Sequence, residues 1–199
     1  MSPNSRNRVG TTLAVVGTAL VLAASGPVAS AQPDSAPPGS AQPGSTRADS
    51  VRAVTVDRLS LRLASAPAQG ANVRGGGSEN GTEVIQWPYS GTANERWEAT
   101  ATGGGYYRIA SQGSGKCLNV KGGGSADGTP VIQYTCGSGG NEQWKFVRKG
   151  IGYQVVVRSS GKCLNVKGGV GKGNPLIQYT CSTNGAANDV WLPVWEPAS

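Results

Sequence analysis

Short segments in which apolar and polar residues alternate recur from residue 60 to residue 195, and glycine-rich stretches separate them. Alternation with a period of two is typical of half-buried β-strands, and glycine-rich stretches are typical of turns. No convincing amphipathic helix interrupts this pattern. It predicts an all-β fold with twelve strands, at residues 60–65, 71–75, 83–89, 96–101, 106–111, 116–121, 130–136, 143–148, 153–159, 162–167, 175–181 and 190–195.

The strands fall into repeated units. The nine residues GKCLNVKGG at 115–123 return unchanged at 161–169, and a degraded copy, QGANVRGG, lies at 69–76. Each copy is followed by a Val/Leu-Ile-Gln-aromatic strand and then by Asn-x-x-Trp. The tryptophans that end the units are 47 residues apart: Trp97, Trp144 and Trp191. A fixed period of this length indicates threefold internal architecture.

The repeats define one folded domain, expected at residues 51–199. Its units of four strands are expected at about 55–101, 102–149 and 150–199. Three equal sets of four strands suggest a closed barrel with a cap of hairpins, because closure removes exposed strand edges. Residues 32–50 are rich in Pro, Ser, Gly and Ala. Such a segment cannot bury enough apolar surface to fold, so it is interpreted as a linker.

The first 31 residues have the three parts of a secretory signal peptide. Two arginines come first, an apolar run follows at 13–24, and Ala29 and Ala31 form an A-x-A cleavage motif. The apolar run is shorter than the ~20 residues that a membrane-spanning helix needs, and no second candidate follows it. The sequence therefore predicts a secreted, extracellular protein with no membrane association once the signal is removed.

Charge and composition exclude several kinds of function. The formal net charge is +7, but the basic residues are scattered singly, whereas a nucleic-acid-binding face clusters them. The chain has no histidine, which removes histidine-based catalytic triads and histidine-bearing zinc sites. We expect no nucleic-acid partner, no metal and no cofactor.

The cysteines are interpreted as structural. There are four of them, Cys117, Cys136, Cys163 and Cys181. An even number in an exported chain predicts a disulfide framework, and four cysteines allow three pairings. A nucleophilic cysteine needs a base partner, and a chain without histidine offers little to fill that role.

The repeated motifs resemble the ricin-B-type lectin family. Cys-Leu-Asn-Val, the Ile-Gln-aromatic-x-Cys strand and the terminal Asn-x-x-Trp carry the resemblance, which covers residues 55–199. The signature of that family is a Gln-x-Trp motif repeated three times on a β-trefoil, which also serves as a carbohydrate-binding module on secreted glycoside hydrolases. The resemblance implies a β-trefoil lectin domain, and the chain is expected to be a secreted bacterial member of the family.

The resemblance also implies a disulfide pairing. The family joins the cysteines within each repeat, which here gives Cys117–Cys136 and Cys163–Cys181, each contributing about 3 kcal/mol to stability. Gly70 and Tyr89 stand at the matching positions of repeat one. That repeat has no bridge and is expected to be the softest.

Sugar binding requires an aromatic face, which stacks on the apolar side of a pyranose, and fixed polar groups that bind its hydroxyls. The resemblance implies a shallow pocket in each repeat with a polar anchor, an aromatic platform and a second polar ligand. In that order these residues are Asn72, Trp87 and Asn94; Asn119, Tyr134 and Asn141; and Asn165, Tyr179 and Asn188.

Two positions depart from the family pattern. The anchor of the family is usually Asp, which accepts charge-assisted bonds from two sugar hydroxyls, but here it is Asn in all three repeats. The Gln of Gln-x-Trp is replaced by an acid, a candidate source of the missing carboxylate: Glu95, Glu142 and Asp189. On the sequence alone, Asn119→Asp is expected to leave folding intact and to raise sugar affinity.

The aromatic residues divide into two groups. The tryptophans of Asn-x-x-Trp are expected in the core, together with Leu118, Leu164, Ile85, Ile132 and Ile177. The three platform residues are expected to face sugar, the alternative being half-buried packing.

The sequence thus predicts a non-enzymatic, monomeric, secreted protein that binds polysaccharide or glycoconjugate sugars, of galactose or xylose type. The acids that could act as a catalytic pair fall at equivalent repeat positions, which indicates structure rather than a single catalytic centre. Two alternatives stay open. A secreted β-trefoil protease inhibitor would present one protruding loop rather than three pockets. A protein-interaction module would result if the Asp-to-Asn change had ended sugar binding.

Overall fold

The computed structural model describes residues 56–195. The signal peptide and linker predicted at 1–31 and 32–50 lie outside the described residues. Every predicted strand overlaps an observed one, and the twelve strands are β1 Val56–Leu63, β2 Ala66–Val73, β3 Val84–Pro88, β4 Trp97–Gly103, β5 Tyr106–Ser111, β6 Cys117–Val120, β7 Val131–Tyr134, β8 Gln143–Lys149, β9 Gly152–Val157, β10 Cys163–Val166, β11 Leu176–Tyr179 and β12 Trp191–Trp195.

Within 56–195 the helical segments are short 3-10 turns, at Arg74–Gly76, Ala93–Glu95, Lys121–Gly123 and Gly140–Glu142. No helix in this region is long and apolar enough to cross a bilayer. The all-β prediction is therefore confirmed.

Six strands close into a barrel. β1 pairs with β4, β4 with β5, β5 with β8, β8 with β9 and β9 with β12, and β12 returns to β1. All six pairings are antiparallel. Each repeat supplies its first and last strand to this ring, so the barrel exists only when all three repeats are present.

The remaining strands form one hairpin per repeat, β2–β3, β6–β7 and β10–β11. The first strand of each hairpin also pairs with a barrel strand of its own repeat. Isolated backbone bridges join every hairpin to the other two: Glu83–Ile132, Pro130–Ile177 and Ile85–Pro175. The hairpins therefore form a three-sided cap, and the fold is a β-trefoil.

The tryptophans of the Asn-x-x-Trp motifs are fully buried, as predicted. Each indole Nε1 donates to a backbone carbonyl of the cap hairpin in its own repeat. The three bonds are Trp97 to Ala71 at 3.2 Å, Trp144 to Leu118 at 2.8 Å and Trp191 to Leu164 at 3.0 Å. A buried donor without an acceptor costs about 1–3 kcal/mol, so these bonds fix the cap on the barrel.

The other predicted core residues are also buried, but they divide into two groups. Leu118 and Leu164 belong to the main apolar cluster with the tryptophans. Ile85, Ile132 and Ile177 are buried at the bridges that join the hairpins, outside that cluster. These isoleucines close the cap rather than fill the barrel.

Both disulfides have the predicted pairing. Cys117 is bonded to Cys136, and Cys163 is bonded to Cys181. Repeat one has no bridge at the corresponding place. There, the Arg62 guanidinium lies 3.7 Å from the centroid of the Tyr89 ring. An added Cβ on Gly70 would lie 3.0 Å from the Leu61 carbonyl oxygen, which leaves little room for a side chain.

Replacing Trp144 by Ala should lower the free energy of unfolding by about 3–5 kcal/mol, because it removes a buried ring and leaves the Leu118 carbonyl without its donor. Urea unfolding followed by circular dichroism measures the change. Trp195 is the matched control, since the same substitution there removes a ring that is 62% exposed. Equal losses for Trp144→Ala and Trp195→Ala would contradict the assigned core.

Candidate functional site

The three predicted platform residues lie near the ends of β3, β7 and β11 and face solvent. Trp87 is 38% exposed, Tyr134 47% and Tyr179 47%. Directly across the hairpin from each ring stands Gly70, Cys117 or Cys163. This exposure meets the requirement for a sugar platform, and the stacking itself stays a prediction.

Two of the platforms border a concave pocket. The pocket beside Trp87 has a volume of about 320 Å³, and the pocket beside Tyr179 about 550 Å³. The first is lined by Trp87 together with Asn72, Arg74, Ile85 and Asn94. The second is lined by the equivalent residues Tyr179, Asn165, Lys167, Ile177 and Asn188. The predicted residues of repeat one and of repeat three are therefore brought together.

The two asparagines of each repeat form a fixed pair. Asn94 Nδ2 donates to Asn72 Oδ1 at 3.2 Å. Asn141 Nδ2 donates to Asn119 Oδ1 at 3.1 Å, and Asn188 Nδ2 donates to Asn165 Oδ1 at 2.9 Å. The same Nδ2 group donates to a backbone carbonyl just after the anchor, that of Val73, Val120 or Val166. Both amide hydrogens of the second asparagine are thereby used, so the residue can offer a ligand only its Oδ1 oxygen.

The acids at the Gln-x-Trp position are buried, and Glu95 also lines the repeat-one pocket. Each accepts backbone N–H groups from the loop that follows its platform strand. Glu95 accepts from the backbone N–H groups of Ser90 and Gly91. Glu142 accepts from that of Gly137. Asp189 accepts from those of Ser182 and Ala186. Carboxylates with such partners act as loop anchors, because a buried charge requires compensating donors.

In two repeats the same carboxylate also receives the anchor asparagine. Asn72 Nδ2 donates to Glu95 at 3.0 Å, and Asn119 Nδ2 donates to Glu142 at 3.4 Å. Asp189 is one methylene shorter, and its extra partner is Gln154 Nε2 rather than Asn165. The two departures from the family pattern, Asn in place of Asp at the anchor and an acid in place of Gln before Trp, are therefore linked in these two repeats. The anchor amide donates a hydrogen bond to the acid.

This bond changes the expectation for Asn119→Asp. An aspartate at 119 would place its carboxylate against that of Glu142, so the substitution is expected to disturb folding. The sequence could not supply this contact, since the anchor and its acid are separated by 23 residues.

Sequence reasoning gave no role to the glutamine before each platform residue. Gln86, Gln133 and Gln178 are fully buried, and each bonds to a loop of another repeat. Gln133 donates to the carbonyls of Gly77 and Glu79 in repeat one. Gln178 donates to the carbonyls of Gly124 and Ala126 in repeat two. Gln86 accepts a bond from the backbone N–H of Gly171 in repeat three. These glutamines fix the platforms, and their identity in all three repeats was the available signal.

A second contact between repeats differs in repeat one. Thr135 N donates to Asn80, and Thr180 N donates to Asp127, both at 2.8 Å. The equivalent residue in repeat one is Pro88, which has no N–H to donate. Its partner position holds Lys172, whose Nζ lies 4.5 Å from the centroid of the Trp87 ring. A cation–π contact thus replaces the hydrogen bond.

The acid beside the repeat-three platform is neutralised by a lysine. Lys162 Nζ lies 2.7 Å from Asp127 Oδ1. The Lys162 ammonium, followed by the bonds from Thr180, holds the pKa of Asp127 below its usual value. Asp127 therefore stays ionised and paired, and it is not among the residues that line the pocket.

No group of histidine, cysteine or acidic residues within 56–195 has the arrangement of a metal site. A closed barrel, a three-hairpin cap, and one exposed aromatic ring and one pair of bonded asparagines in each repeat define a lectin-type β-trefoil. The sequence profile of the ricin-type beta-trefoil lectin domain-like family matches residues 62–134 and 140–198. The chain belongs to this family.

Solved structures agree with this assignment. The designed threefold-symmetric protein ThreeFoil is 35% identical with a TM-score of 0.65, and the match covers 69% of this chain and 97% of ThreeFoil. An exo-β-1,3-galactanase from Clostridium thermocellum is 30% identical with a TM-score of 0.65, and the match covers 70% of this chain but 30% of the enzyme.

The Rhizoctonia solani agglutinin shares the fold at 17% identity, with a TM-score of 0.63 and coverage of 72% of this chain and 97% of the agglutinin. No curated protein sequence matches the chain significantly.

Asn72→Asp should lower the free energy of unfolding by about 2 kcal/mol at neutral pH, because it replaces a hydrogen bond to Glu95 by contact between two buried carboxylates. The loss should be smaller when unfolding is measured at about pH 4, because the introduced carboxyl can then take up a proton and donate a hydrogen bond to Glu95. Adding Glu95→Gln should restore stability, since the amide and the acid have then changed places.

Asn165→Asp is the matched control, because Asn165 makes no hydrogen bond to Asp189 within the described residues. Urea unfolding of the four proteins at both pH values makes the comparison. An unchanged Asn72→Asp protein, or an equal loss in Asn165→Asp, would show that the bond from the anchor to the acid is unimportant.

Proposed function

We propose that this protein is an extracellular, non-enzymatic lectin that binds sugars at the exposed rings of Trp87, Tyr134 and Tyr179. The observation that carries the proposal is the repeated constellation of one exposed ring and two bonded asparagines on a ricin-type trefoil. A packing residue has no need to expose more than a third of its surface at the same place in every repeat. Membership of a lectin-type family supports the same conclusion.

The chemistry of each pocket suits a pyranose. The aromatic face stacks on the C–H side of the sugar, while the asparagine pair offers N–H groups from the anchor and Oδ1 of its partner to neighbouring hydroxyls. The pair is already hydrogen-bonded before a ligand arrives. A rigid pair loses little conformational freedom on binding, which favours affinity.

Three such sites on one small domain favour a polymeric ligand. Weak sites that engage the same chain together gain affinity from high effective concentration. Polysaccharides or glycoconjugates of galactose or xylose type are the proposed partners. The partial similarity to an exo-β-1,3-galactanase makes galactans the first polymers to test.

Secretion is part of the proposal. Two disulfides are typical of proteins that mature in an oxidising compartment. The signal-peptide pattern at residues 1–31 predicts the same location. We propose that the exported chain acts as a monomer.

The absence of catalysis is supported by the role of the acids. Glu95, Glu142 and Asp189 are buried and bonded to loop backbone. A glycosidase needs two carboxyl groups that flank the scissile bond, one of them as a proton donor. Loop anchors of this kind do not meet that requirement.

The protein should be retarded in affinity gels that contain galactan, arabinan or xylan, and it should release no reducing sugar from any of them. Retardation by at least one polymer, relieved by free sugar, supports the proposal. Turnover that a single Glu or Asp substitution abolishes would contradict the non-enzymatic part. Inhibition of a secreted protease without retardation by any polymer would favour the protease-inhibitor alternative.

Tyr134→Ala should remove binding at repeat two and cost less than about 1 kcal/mol of stability, because the ring is largely exposed. Binding to polymer should fall more than binding to free sugar, since the loss of one site reduces avidity. Trp195→Ala serves as the control, because Trp195 is exposed but lies in neither of the two pockets beside Trp87 and Tyr179. A Tyr134→Ala protein that melts well below the parent, with unchanged binding per folded molecule, would make Tyr134 a packing residue.

A further inference from the structure

Each anchor asparagine has at least one side-chain N–H that makes no hydrogen bond to a described residue. An asparagine side chain has two N–H groups and one carbonyl oxygen. Asn72 and Asn119 each spend one N–H on the buried acid, which leaves one. The side-chain N–H groups of Asn165 donate to no described residue. The shorter Asp189 is bonded to Gln154, Ser182 and Ala186 instead. Repeat three therefore offers two anchor N–H groups.

The oxygen side of each anchor is already occupied in part. Oδ1 of the anchor accepts a bond from the second asparagine in every repeat, at 2.9 Å in repeat three. The acids behind the anchors are buried and covered by their own donors. Where an aspartate anchor would offer two acceptors to a ligand, this chain offers donors. A donor is satisfied only by an acceptor on the ligand.

A basic residue stands two positions after the anchor in each repeat: Arg74, Lys121 and Lys167. Arg74 and Lys167 line the two pockets. Arg74 is paired with Glu83 at 3.0 Å, whereas the positions equivalent to Glu83 hold Pro130 and Pro175. Lys167 forms no ion pair within residues 56–195, and it shares its pocket with no acidic side chain.

We propose that the repeat-three pocket takes a pyranose that carries an anionic group, a carboxylate or a sulfate. The inference rests on the proposed function and names the ligand class of one of its sites. Tyr179 carries the ring of the sugar, the two N–H groups of Asn165 donate to anionic or hydroxyl oxygen, and Lys167 supplies the countercharge. Charge-assisted bonds from donors to an anion are stronger than bonds to neutral oxygen.

The test isolates repeat three in the full chain. Trp87→Ala and Tyr134→Ala together remove the other two platforms, both exposed, and leave Tyr179. Calorimetric titration of this protein with galactose, galacturonic acid and galactose 6-sulfate compares a neutral sugar with two acidic ones. At least one acidic sugar is expected to bind about fivefold more tightly than galactose at low salt, and the preference should shrink at about 1 M salt.

The two acidic sugars distinguish the sources of the charge. Preference for galacturonic acid points to uronic-acid polymers, and preference for the sulfate points to sulfated polymers. In either case Lys167→Gln should abolish the preference, so that the acidic sugar binds no more tightly than galactose. Lys145→Gln is the matched control, because Lys145 lies outside this pocket. It should leave the affinities for the three sugars unchanged.

The failures of the two proposals look different. Equal affinity for all three sugars, or a preference that survives Lys167→Gln, would overturn the anionic ligand and leave the lectin function standing. Absence of binding to any of the three sugars and to all of the polymers would overturn both. Binding that persists in Tyr179→Ala in this background would place the sugar elsewhere and contradict the assigned pocket.

Discussion

The buried indole N–H of each repeat is the constraint on which both core and site depend. Three tryptophans fill the barrel, and each N–H must find an acceptor, since an unpaired buried donor costs about 1–3 kcal/mol. The acceptors are the carbonyls of Ala71, Leu118 and Leu164. Each is the residue immediately before an anchor asparagine. The bond that holds the cap on the barrel therefore also sets the position of the polar end of each pocket.

From this point the pocket is assembled outward through hydrogen bonds. The anchor asparagine is held by its partner asparagine, and the acid behind it holds the loop beyond the platform. The buried glutamine before the platform holds a loop of another repeat. Each pocket thus requires a neighbouring repeat as well as its own. A single repeat of this sequence could form neither the barrel nor a complete pocket.

Much of the fold could be predicted because it depends on local pattern and period. Alternating strands, the 47-residue spacing of Trp97, Trp144 and Trp191, and the family's cysteine pairing led to a correct architecture. In repeats one and three the structure also brings the predicted ring and amide residues together in one pocket. Three features escaped prediction because each joins residues far apart in sequence: the bond from Asn72 to Glu95, the glutamine contacts between repeats, and the contact of Lys172 with Trp87. Pattern alone does not reveal which distant side chains meet.

The repeats are similar in frame and different in chemistry. In repeat one the contact between Arg62 and Tyr89 stands where the other repeats have a disulfide. In repeat three the acid is the shorter Asp189, and the anchor Asn165 makes no hydrogen bond to it. The most direct test of the assigned sugar sites is NMR of ¹⁵N-labelled protein during titration with a sugar that it binds. The spectra follow the side-chain N–H signals of asparagine and tryptophan. The placement of sugar beside the anchor asparagines predicts saturable shifts of their side-chain amides, with the indole signals of the buried tryptophans unchanged. Shifts confined to the separate cavity lined by Tyr107, Phe146, Tyr153 and Trp195 would contradict it.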